Sequence, residues 1–135
     1  MANANAYKEI SAWSNELKVE KLTYDFSEDT GAQGTYSLAK FLKKALVVDA
    51  CVQVETACTS AGLATVQIGT STGDADAFMD TTSGAVANLV DDFTVKETAG
   101  QSLVVAEDET VDLVIGTADL TAGKINVYLA YYKAA

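Results

Sequence analysis

The sequence predicts an all-β protein: a jelly-roll-like antiparallel β-sandwich of about eight strands, preceded by an N-terminal arm. Three observations carry this. Apolar residues alternate with a period of two from Leu17 onward, the alternating runs are short, and clusters of Gly, Ser, Thr and Asp separate them. Helical spacing is confined to the first sixteen residues, so the chain divides into an arm over 1–16 and a sandwich over 17–135.

In the arm, Tyr7, Ile10, Trp13 and Leu17 fall three, three and four residues apart, on one side of a short helical stretch. Such an arm either packs on its own sandwich or docks on a neighbouring subunit. The chain's single Trp lies in it, and Trp and Tyr are favoured interface anchors. The first strand places Leu22, Tyr24 and Phe26 on one face and Lys21, Thr23 and Asp25 on the other, and a turn follows in the SEDTGAQG stretch. Tyr36 to Phe41 reads as a second strand. Leu46, Val48, Ala50, Val52 and Val54 then line one face of a long third, with Asp49, Gln53 and Glu55 on its wet face.

After turn residues at 59–62, Ala64, Val66 and Ile68 alternate with Thr65 and Gln67. The stretch from Gly69 to Asp92 is weakly periodic and reads as a long excursion with one short strand or turn near Phe78–Met79. Strands return at Phe93–Lys96 and Ser102–Val105, then at Val111, Leu113 and Ile115. The last carries Ile125, Val127, Leu129 and Tyr131, and GTADLTAG joins it to the preceding strand as a hairpin-type connection. If those four face the core, Tyr128 and Tyr132 face outward. There they either form a contact surface for another copy or a different protein, or lean over a neighbouring strand with their hydroxyls in water.

Composition narrows the chemistry. The 135 residues are 49% hydrophobic, contain no Pro, and carry a formal charge of −10 with nine Lys+Arg against 19 Asp+Glu. All the basic residues are Lys, so an acidic surface without a guanidinium argues against nucleic acid as a partner. The chain has no His, which removes the commonest general base and metal ligand and argues against most hydrolase and metalloenzyme schemes. No catalytic residue, metal site or cofactor is expected. No secretory signal or membrane-spanning run is visible, so synthesis in a cytosol is expected, with Cys51 and Cys58 as free thiols by default. Spacing alone leaves a bridge between them open.

Asp74, Asp76 and Asp80 are the best candidates for a hard-cation site, although Met79 stands where the EF-hand pattern requires Gly and Ala85 where it requires Glu. A solvated turn is the alternative. The runs Glu107-Asp108-Glu109 and Asp91-Asp92 fall between predicted strands, where charge keeps a loop in water.

The order Leu22-Thr-Tyr-Asp-Phe26, Gly34-Thr-Tyr-Ser-Leu38, Ala64-Thr-Val-Gln-Ile-Gly69 with Gly73-Asp74, and Leu120 through Tyr132 resembles the head decoration, or cement, proteins of tailed bacteriophages. The resemblance runs over Leu17 to Tyr132 and rests on the order of strand and turn signals. It implies a non-enzymatic virion protein, made in the host cytoplasm, that binds the major capsid protein on the outside of an expanded shell. It also implies a homo-oligomer, with a trimer favoured, no membrane, and an arm that reaches neighbouring subunits through Tyr7, Ile10 and Trp13. A head-fibre, neck or tail component is the structural alternative. A carbohydrate- or Ca²⁺-binding sandwich module is the alternative from another class.

Overall fold

The computed structural model describes residues 17–41, 45–97 and 103–133. The arm expected over 1–16, with Tyr7, Ile10 and Trp13, lies outside the described residues. Among the described residues there are eight strands: β1 (Leu17–Asp25), β2 (Gly34–Phe41), β3 (Ala45–Ser60), β4 (Thr65–Thr70), β5 (Thr94–Val95), β6 (Leu103–Val105), β7 (Glu109–Gly116) and β8 (Leu120–Lys133). The described residues also form a one-turn helix α1 (Phe26–Asp29) and a 3-10 turn at Val86–Asn88.

All pairings between strands are antiparallel and build two sheets. Sheet A runs β1-β8-β3-β5, with β6 also on β3, and sheet B runs β2-β7-β4. The chain therefore changes sheet at every connection except that from β5 to β6. The expected hairpin at GTADLTAG is corrected by this. β7 and β8 belong to opposite sheets, and the chain turns the corner through Thr117 at φ 71°, with Asp119 accepting the Gln33 N–H at 3.0 Å. The turn expected after β1 is another such corner, built on α1. There the buried Tyr24 hydroxyl donates to the carbonyl of Thr30, itself at φ 65°, and the Tyr36 ring meets Tyr24 edge-on at 5.4 Å.

The core lies between the sheets. Sheet A contributes Tyr24, Val47, Val52, Val54, Ile125, Val127 and Leu129, and sheet B contributes Val66, Ile68, Val111, Leu113 and Ile115. The alternation in β7 and β8 falls on the expected faces. In β3 it does not begin where sequence parity puts it, because Val47 is buried while Leu46 is exposed. Register shifts between Val47 and Asp49 against β8, and the extra residue of a bulge restores the expected parity only from Ala50 onward.

The 69–92 excursion is more integrated than its composition suggests. Ile68 bridges Met79 and Thr65 bridges Ala85, so the segment runs antiparallel along the β4 edge, and where a short strand or turn is expected near Phe78–Met79 there is a single isolated bridge. It delivers Ala77, Phe78, Met79 and Leu89 to the core. Gly84 makes this approach possible, since a Cβ there would lie 1.7 Å from the Val66 carbonyl oxygen.

Candidate docking face

The outer face of sheet A has an apolar end and a polar end. Strand register puts Leu17 of β1 opposite Tyr132 of β8, Tyr132 opposite Leu46 of β3, and Leu46 opposite Val104 of β6. Directly opposed residues share a face, so these four side chains form one row across four strands. The row is open to solvent, with Val104 63% exposed and Leu17 50%. Val19, 67% exposed, lies beside Ala130 in the next register position. A shallow hollow of about 220 Å³ continues inward past Asp49, Cys51 and Tyr128.

Tyr128 marks the transition to the polar end. Lys21 sits 6.0 Å over its ring, and its hydroxyl donates to Gln53 Oε1 at 3.2 Å. Beyond it Asn126 is buried although it points outward. It accepts from the Thr23 hydroxyl at 2.9 Å and donates to Glu55 at 3.2 Å, and Lys124 closes the network on Glu55 at 3.3 Å. Hydrogen bonds from Asn126 and Lys124 hold the Glu55 carboxyl below its usual range. This end has its partners within the molecule. The apolar end, among the described residues, has none over it.

Of the residues singled out from sequence, Leu17 and Tyr132 are cross-strand neighbours, and Tyr128 lies on the same face nearer the polar end. Val19, Leu46 and Val104 complete the patch and were not singled out. Sequence parity places Leu46 inward because it carries no sign of the bulge, and Val104 sits in a strand of three residues, too short to show a period.

The other candidates resolve into local structure. Asp74 Oδ1 accepts the Asp76 N–H at 3.3 Å and Asp80 Oδ1 accepts the Ser83 N–H at 2.8 Å, so these carboxylates serve their own turns. The hydrogen bond to Asp74, then burial and the Asp74 charge, raises the Asp76 carboxyl. Among the described residues no group of three or more Cys, Asp or Glu is placed to hold a metal ion. Two of the acidic runs do more than keep loops wet. Glu109 is buried and accepts the backbone N–H groups of Thr72 and Gly73 at 2.8 and 2.6 Å. Asp91 accepts the Ala57 N–H at 2.6 Å. Both cysteines are free thiols, and burial pushes the Cys58 thiol up to about 11, which keeps it protonated and unreactive. No helix among the described residues is long and apolar enough to cross a membrane.

No family model matches this chain, and no curated protein matches it. Three solved structures of phage capsids contain chains of similar fold. A chain of the cyanophage Pam1 capsid asymmetric unit superposes with a TM-score of 0.68 at 19% identity, covering 90% of this chain and 88% of that one. A chain of the acidic stable capsid structure of Helicobacter pylori bacteriophage KHP30 gives 0.65 at 14% identity over 90% and 92%. One from the capsid of Ralstonia phage GP4 gives 0.66 at 13% identity over 91% and 88%. At these identities the likeness is one of fold.

Proposed function

We propose that this chain is a non-enzymatic virion protein that binds the outer surface of a bacteriophage capsid and stabilises it, a decoration or cement protein. The observation that carries the reading is the likeness to chains from three phage capsid structures, which spans about nine-tenths of this chain. The strand order supports it. β1-β8-β3-β5/β6 facing β2-β7-β4, with the 77–85 segment beside β4, agrees with the winding expected of a jelly roll, a fold used by viral capsid domains.

In this reading the partner is the major capsid protein, and the contact is made by Tyr7, Ile10 and Trp13 of the arm together with the apolar end of sheet A around Leu17 and Tyr132, with Tyr128 at its margin. The chain assembles as a homo-oligomer, a trimer being favoured, after synthesis in the host cytoplasm. Stabilisation needs no chemistry. A module bound across neighbouring shell subunits must be released before they separate, so its binding free energy adds to the shell's.

Quantitative mass spectrometry of purified virions tests this reading. Copy numbers approaching those of the major capsid protein are expected, and a ratio of a few per cent would move the chain to the neck, tail or a head fibre. Co-sedimentation with expanded shells tests the attachment. Removal of residues 1–16 is expected to leave a folded sandwich that no longer binds.

A further inference from the structure

Sheet A ends at β1, whose pairing partner among the described residues is β8 alone. Residues 17–20 of this edge are all exposed, and they alternate Leu, Lys, Val, Glu. An exposed edge strand is a template for another strand, and proteins ordinarily blunt it with lysine because an identical copy then opposes lysine with lysine. In β1 that protection depends on register.

Two copies of β1 can pair antiparallel about a two-fold axis. To keep inner residues opposite inner ones, the register must place one residue opposite itself. Centring on Lys18, Glu20 or Lys21 opposes like charges at the axis. Centring on Leu22 opposes a residue whose side chain already packs against the core, and it forms no ion pair. Centring on Val19 sets Val19 against Val19, Lys18 against Glu20 twice, and Leu17 against Lys21 twice. It brings together a β-branched pair and two opposite-charge pairs, the combinations that favour cross-strand pairing. We propose that β1 is a self-complementary edge through which a second copy of this chain pairs antiparallel about Val19, joining two copies of sheet A into one continuous sheet. The contact is distinct from three-fold packing and would link copies belonging to different trimers. It involves no capsid protein, so it can be tested on the free protein and can fail without the capsid reading failing.

Cross-linking reads it directly. In the full chain carrying Cys51→Ser, Val19→Cys puts one new thiol on the axis, where opposed Cα atoms fall within disulfide range. On oxidation at high protein concentration a covalent dimer is expected on a non-reducing denaturing gel. Thr23→Cys in the same background, off the axis, is expected to remain monomeric. Lys18→Glu or Glu20→Lys added to the Val19→Cys chain opposes like charges and should slow dimer formation about tenfold, and the double exchange should restore it. Circular dichroism verifies that each variant is folded. A Val19→Cys chain that cross-links no faster than Thr23→Cys, or a double exchange that stays slow, would overturn the proposal.

Discussion

At the scale of single residues, Glu109 links the excursion to the body of the sandwich. Burial alone would raise its carboxyl. The N–H groups of Thr72 and Gly73 and the hydroxyls of Thr72 and Thr70 outweigh burial, and the net shift is downward. A carboxyl whose folded value lies below its unfolded value of 4.5 stabilises the protein above that value. The contribution is lost as pH falls through the lowered folded value. Unfolding midpoints measured between neutral and acid pH should therefore drop, and Glu109→Gln, which keeps an acceptor but cannot titrate, should flatten that limb. Glu109→Ala should lower stability by about 1–3 kcal/mol at neutral pH, because two backbone N–H groups lose their charged acceptor and the excursion loses its tie to β7. Gly84 is a steric counterpart. Its N–H donates to Asp80 and its carbonyl accepts from Val66, both at 2.8 Å, so the backbone cannot retreat from an added methyl group without breaking them. Gly84→Ala is expected to cost at least about 1–3 kcal/mol, read as a lower thermal midpoint.

At the scale of elements, β7 and β8 were legible because Val111, Leu113, Ile115, Ile125, Val127 and Leu129 alternate without interruption and one face of each strand meets the other sheet. What parity does not encode is where a strand slips. The bulge near Val48 costs one residue of register, so Leu46 and Val47 exchange faces relative to the sequence reading, and that exchange hides one of the four residues of the docking row. The sheet to which a strand belongs was equally illegible at Gly116–Leu120, since a short Gly-containing connection suits a hairpin or a corner between sheets. The corner is selected by distant partners, β2 and β4 for β7 and β1 and β3 for β8. The slip makes a sharp test. Val47→Asp would bury an unpaired charge and should leave little folded protein, whereas Leu46→Asp, one residue away, should lower the stability read from urea unfolding by no more than about 1 kcal/mol. Equal damage from the two would contradict the bulge.

At the scale of the whole molecule, a formal charge of −10 surrounds an apolar row that offers no carboxylate of its own. The charge works against non-specific association, while Leu17, Tyr132, Leu46 and Val104 hold exposed apolar area. The two features suit a protein that stays soluble until a complementary surface is available, and they separate stability from attachment. The row contributes little to the core, so replacing Leu46, Val104 and Tyr132 together by Ser should leave the thermal midpoint within a few degrees of the parent. On a partner surface the part of each side chain still exposed would be worth about 0.5–1.5 kcal/mol if covered. On the proposed capsid role, losing three should weaken binding to expanded shells on the order of 10²-fold and cancel any rise in shell melting temperature measured with the parent chain. Co-sedimentation and shell calorimetry with the folded variant measure the two effects separately. Unchanged binding would show that attachment runs through another surface, and the apolar row would then belong to contacts between copies of this chain.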